Sequence, residues 1–221
     1  MKLKNLSRNN IILLVCLLAL IILFPLFREK DSLVRDLLLT AIFFSGIFSL
    51  DFSDRSLKIL LPLGTATAAT TWIGHFIKND AVYLVDNVTT FLFLIAIVVL
   101  MVRHIARSRD VTRTIIFSAI NGYLLIGVLS AVLLAIADGV HQDILSSGNA
   151  AIIFPGQSVP AFNDYLYFSF VTLTTLGYGD VTPVSHLARS MAILIAVTGQ
   201  LYTTILIAML VGKFLARSEG K

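Results

Sequence analysis

Residues 172–183 read TLTTLGYGDVTP. The stretch offers hydroxyls, two glycines around a tyrosine, and one carboxylate. Its chemistry therefore lies in main-chain oxygens more than in side chains. Glycine takes the positive φ values that other residues avoid. Interleaved with ordinary residues, it lets successive carbonyls point to one side, where a strand would alternate them. A row of carbonyl oxygens can replace the hydration shell of a bare cation. The same letters also suit a plain turn, because glycine beside aspartate is common turn chemistry. The surroundings decide between the two.

Those surroundings are apolar. Of 221 residues, 57% are hydrophobic and 14% charged, against about 25% charged in soluble domains, so the composition is that of a membrane protein. A spanning helix needs roughly 17–25 mostly apolar residues. Six candidates follow: Ile11–Phe27, Leu33–Leu50, Leu57–Ile77, Val82–Val102, Thr114–Ala137 and His186–Ala216. The first has a basic start, as a signal peptide would, but runs into FPLFREKDS with no small-x-small cleavage site, which favours a retained span. The lone cysteine, Cys16, excludes an intrachain disulfide framework and a thiol metal cluster. The basic residues form juxtamembrane clusters with no soluble domain to present them, so nucleic acid is not an expected partner.

With the N-terminus inside, the inner segments hold Lys2, Lys4, Arg8, Arg55, Lys58, Arg103, Arg107, Arg109, Arg113, Lys213, Arg217 and Lys221. Only Arg28, Lys30, Arg35, Lys78 and Arg189 fall outside. This is the asymmetry of the positive-inside rule. It puts both termini in the cytoplasm and segment 138–185 outside.

Non-helical backbone at membrane depth survives only inside protein or lining water. Segment 161–183 fits a re-entrant hairpin. A short aromatic helix over about 161–174, too short to span, is started by Pro160, and an extended return carries the glycines. With the pattern TxTTxGYGD over Thr172–Asp180, the chain resembles the tetrameric potassium channels. The resemblance is specific over about 161–216 and only topological over 1–113. It implies that the carbonyls of Thr175, Leu176, Gly177, Tyr178 and Gly179, with the Thr175 hydroxyl, bind K+ as the permeant ion, no cofactor being required. Thr174 would end the pore helix, and Asp180 and Phe168 would support the filter. One filter per chain supplies a quarter of the ring, so a homotetramer is implied. Related transporters carry four unlike pore repeats on one chain, and this chain carries one.

Several positions depart from the family pattern. Leu176 stands where valine is usual, Tyr167 and Phe168 replace two tryptophans, and Val171 replaces a carboxylate found behind some filters. In the last span Gly199 resembles the family's hinge glycine, close helix packing being the alternative. Thr198, Thr203 and Thr204 face a wet cavity or bond to their own helix, and Gly212 lies near the inner end. Beyond Ala216 only RSEGK follows, and no ligand-binding domain is expected there.

A voltage sensor needs arginines at every third residue inside a span. The fourth span has none; Arg103, Arg107, Arg109 and Arg113 follow it, as a cytoplasmic linker touching anionic lipid. His75 and Asp86 are read as solvated groups at the outer boundary, Arg35 and Asp36 as interfacial residues without a special role. Asp138, Asp143 and Asp164 are read as an acidic vestibule that concentrates cations.

The expectation is thus an all-α membrane protein of six transmembrane helices with a re-entrant pore helix and filter between the last two. Residues 1–113 form a four-helix region resembling a degenerate sensor-like domain, and residues 114–221 form the pore domain. The function expected is passive, potassium-selective conduction in the cell membrane, without voltage gating. A weakly selective monovalent cation channel is the alternative. Clustered catalytic groups are missing from the sequence, so no enzyme is expected.

Overall fold

The computed structural model describes residues 2–23, 32–49, 54–77, 79–108, 110–141, 150–155 and 160–219. The described chain is helical apart from two two-residue strands. Helix α1 (Lys2–Leu18) runs on into a wider π turn, Ala19–Leu23; α2 is Ser32–Phe48, α3 Asp54–Phe76, α4 Asp80–Arg107 and α5 Arg113–Val140. Strand β1 (Ile152–Ile153), helix α6 (Phe162–Leu173), strand β2 (Thr182–Pro183) and helix α7 (His186–Glu219) follow. The chain divides into two compact units, one of Met1–Leu125 with Thr204–Lys221, the other of Ile126–Thr203.

Among the described residues, four helical stretches are long and apolar enough to cross a membrane: Leu6–Leu23, Ala81–Arg107, Arg113–Val140 and His186–Lys213. Helices α2 and α3, expected as the second and third spans, are not among them. The described part of α2 is 17 residues, at the lower limit for a span, and it includes Arg35 and Asp36. The polar run GTATAATT dilutes α3. At the fourth span the helix extends past the expected boundary, so Arg103 and Arg107 lie on its last turns and not in a linker.

In the first unit each helix packs on the next, α1 on α2, α2 on α3 and α3 on α4. Phe43 and Phe93 meet edge to face at 5.1 Å, among buried Leu13, Leu17, Ile47, Leu60 and Ile97. Small residues permit the close approach: a Cβ on Gly64 would lie 2.7 Å from the Ile47 side chain. Polar side chains stitch the same helices together. Asn10 donates to the Ser49 carbonyl at 2.6 Å and accepts from Ser118 at 3.0 Å, linking α1 to α2 and α5. Lys213 donates to the carbonyls of Ile105 and Ala106 at 2.9 and 3.2 Å, where the C-terminal end of α4 favours a cation.

Asp36, expected as an interfacial residue without a special role, is tied into the helix packing, while Arg35 and His75 stay partly solvated. Asp36 is fully buried; its Oδ1 lies 2.9 Å from Arg35 and its Oδ2 2.8 Å from His75 Nδ1, tying α2 to α3. Asp86 likewise accepts from Thr71 at 2.7 Å and Thr70 at 3.3 Å, which joins α4 to α3. A buried carboxylate is retained only where donors compensate its lost hydration. Replacing Asp36 with alanine is expected to destabilise this unit by about 2 kcal/mol, less than the roughly 3–5 kcal/mol of a fully buried pair, because both partners stay partly solvated. Thermal melting of the purified protein measures it.

Candidate functional site

The second unit carries the glycine motif. Helix α6 is 12 residues long, about 18 Å at 1.5 Å per residue, which is too short to cross a membrane. Its N-cap is Ala161, so Pro160 precedes the cap instead of opening the first turn. The start is fixed by Asp164, whose carboxylate accepts the Ala161 N–H at 2.7 Å. One face of α6 packs on α5. Ser169 donates to the Gly127 carbonyl at 2.9 Å, and a Cβ on Gly127 would lie 2.2 Å from the Phe170 ring. Phe168 is buried in the same unit.

The C-terminal end of α6 closes with a Schellman pattern. Thr174 is the C-cap; the Thr175 N–H reaches the Thr172 carbonyl and the Leu176 N–H reaches the Val171 carbonyl, both at 3.0 Å. This motif puts the residue after the cap in the left-handed region, where glycine is usual. Here it is Thr175, at φ 60°. A β-branched residue in that region is a genuine outlier, and such outliers persist only where the surroundings over-determine them. Gly177 at φ 57° and Gly179 at φ 80° follow. Left-handed residues thus alternate with Leu176 and Tyr178 along the motif, the alternation that same-side carbonyls require. Residues 174–180 are exposed in the single chain, with Leu176 at 55% and Tyr178 at 67%.

Beyond the glycines, Asp180 accepts a 2.6 Å hydrogen bond from the Tyr167 hydroxyl. That bond raises the tyrosine hydroxyl to about 12 and holds the Asp180 carboxyl below its ordinary range. Tyr167, expected only to replace a tryptophan, makes this contact. The usable signal was its phenol, a donor on the α6 face that returns toward the motif. Because the Asp180 value is depressed, the contact is complete above the ordinary carboxylate value, near 4, and is lost as pH falls through the lowered one. In Tyr167→Phe, the Asp180 carboxyl is expected to take up its proton at higher pH than in the wild type, as an NMR titration of that carboxyl measures. An unchanged midpoint would mean that the phenol does not hold the carboxylate.

Two further residues border the motif from α7. Gly199 lies mid-helix, and a Cβ there would stand 2.1 Å from the Leu173 carbonyl oxygen. Gln200, which the sequence reading passed over, points its amide at the Thr175 hydroxyl across 3.4 Å. Thr203 bonds back to the Gly199 carbonyl at 2.9 Å. The vestibule expectation is corrected at Asp138, which is fully buried; Asp164 caps its own helix and stays partly exposed, and Asp143 lies outside the described residues. Among the described residues no group of three or more His, Cys, Asp or Glu is placed to hold a metal ion.

Residues 140–216 match the family model described as an ion channel. Over 67 residues, 30% of this chain, the sequence is 33% identical to two-pore potassium channel 4 of Arabidopsis thaliana. Over 72 residues, 33% of this chain, it is 33% identical to the calcium-gated potassium channel TvoK of Thermoplasma volcanium. The matched stretches span 24% and 20% of those proteins' own lengths. No solved structure matches. The matches support a relationship to potassium channels, proteins of ion transport and not enzymes, for a chain with transmembrane-type helices.

Proposed function

We propose that this chain is one subunit of a homotetrameric, potassium-selective channel that conducts K+ passively across the cell membrane. The observation that carries the proposal is the alternation of left-handed backbone at Thr175, Gly177 and Gly179, directly after a half-length helix. The carbonyls of Thr175, Leu176, Gly177, Tyr178 and Gly179 line the pore in this reading, and K+ is cargo, with no cofactor. The exposed Leu176 and Tyr178 side chains are covered by neighbouring copies.

Six spans with both termini cytoplasmic, counting α2 and α3, remain the topology proposed. Residues 1–113 form the four-helix region beside a pore domain of 114–221. The fourth span carries no arginine ladder, which supports conduction without steep voltage dependence.

The test is flux of K+ against Na+ into liposomes holding only the purified protein, with barium as blocker. Barium-sensitive flux that favours K+ supports the proposal. Equal flux of both ions sinks the selectivity claim in favour of a weakly selective cation channel, and Leu176 becomes the first residue to exchange for valine.

A further inference from the structure

We infer that Asp138, at the outer end of α5, is a positioning residue for the filter, holding in register the two chain ends that enter and leave it. The inference rests on the filter reading above. The Asp138 side chain is fully buried, and its two carboxylate oxygens serve two different segments. Oδ2 accepts the Tyr165 hydroxyl at 2.6 Å, on the second turn of α6. Oδ1 accepts the Ala151 N–H at 2.8 Å, beside β1.

Each tether continues toward the glycine motif. Tyr165 is fixed by edge-to-face contact with Phe154 at 5.2 Å, and two residues on, Tyr167 reaches Asp180. The Ala151 carbonyl accepts the N–H groups of Val184 at 2.9 Å and Ser185 at 3.2 Å. Strand β1 pairs with β2, Ile152 opposite Pro183 and Ile153 opposite Thr182. Ser185 in turn caps α7 by accepting the Ala188 N–H at 3.0 Å. One carboxylate therefore fixes the segment before the motif, through Tyr165, and the segment after it, through Ala151. Between the two anchors lie the left-handed positions 175, 177 and 179.

Backbone in sparsely populated conformations needs surroundings that over-determine it. Charge-assisted hydrogen bonds are the short, strong ones suited to that task. Residues behind the ligands of an ion commonly govern its affinity without touching it. Asp138 acts at a further remove, through Tyr165 and Ala151, on the segments that carry the filter carbonyls.

The experiment is calorimetric titration of K+ into the full-length protein in lipid nanodiscs, after exchange into Na+. Asp138→Ala severs both tethers and is expected to weaken K+ binding about tenfold. Asp138→Asn recovers most of the loss, because its carbonyl still accepts from Ala151 while its amide donates to the tyrosine oxygen. Tyr165→Phe severs the entry tether alone, keeps the ring on Phe154, and is expected to fall between the wild type and Asp138→Ala. A role confined to holding the helices together would lower the melting temperature in Na+ and leave K+ affinity unmoved, which overturns the inference. Should Asp138→Ala fail to fold, Tyr165→Phe decides alone, and unchanged K+ affinity there overturns it. Wild-type protein that shows no preference for K+ overturns the filter reading as well. A K+-selective wild type with unaltered variants overturns only the role of Asp138.

Discussion

Replacing Gly177 with alanine is expected to abolish potassium flux, at least a hundredfold, while leaving the helices folded. A Cβ at this position meets nothing within 4 Å in the single chain, so the cost is conformational and not a clash. The residue sits at φ 57°, where an L side chain costs about 1–2 kcal/mol. If four copies form the proposed ring and all must hold the conformation, the cost is about 4–8 kcal/mol, and each 1.4 kcal/mol is a factor of ten. Thr175 bears the same strain at φ 60°, but two helix-end hydrogen bonds at 3.0 Å hold it. Gly177 has only the longer reach of its N–H to the Val171 carbonyl, at 3.3 Å. Alanine would relax there and turn a carbonyl away from the pore. Flux and circular dichroism on the same preparation check it. Near-normal flux would mean that left-handed backbone at position 177 is not required for conduction.

What could be read from the sequence follows from where each signal resides. The motif was legible because its meaning is carried by glycines and hydroxyls at fixed spacing, a property of the backbone within a few residues. The half-length helix was legible from the length of its apolar run. Asp36 and Asp138 were not. A sequence displays that a carboxylate is present, and hydropathy sends it to the boundary, yet its burial depends on partners 39 and 27 residues away. The Tyr167–Asp180 contact, 13 residues apart, was hidden for the same reason: it exists only once α6 and the segment after the glycines lie side by side. Pro160 illustrates a local rival. Proline suits a first helical turn, but Asp164 reaching back to Ala161 sets the N-cap there and the first helical residue at Phe162, two residues past the proline. The left-handed Thr175 could not be foreseen from side-chain preference at all, since a β-branched residue is the poorest choice for that conformation. The Schellman hydrogen bonds at the helix end impose it.

Gly199→Ala separates the two explanations of the glycine in α7 and is expected to lower stability. If the glycine is a hinge, alanine stiffens the helix, gains about 1 kcal/mol of helix stability, and alters gating in a protein that melts at the same or a higher temperature. The geometry argues the opposite sign for stability. The added Cβ would stand 2.1 Å from the Leu173 carbonyl oxygen and 3.0 Å from its carbon, and both are backbone atoms that no rotamer change can move aside. Overpacking of this kind costs typically 1–3 kcal/mol, and a backbone obstacle belongs at the upper end. The net expectation is a loss of about 2 kcal/mol per chain. Leu173 is the last residue of α6, directly before the Thr174–Thr175 cap, so a shift that relieves the clash displaces the entrance to the motif. Gly199→Ala is therefore expected to melt lower and to lose K+ selectivity together. A variant that melts at or above the wild-type temperature, keeps its K+ preference and changes only its open probability would return the position to the hinge explanation.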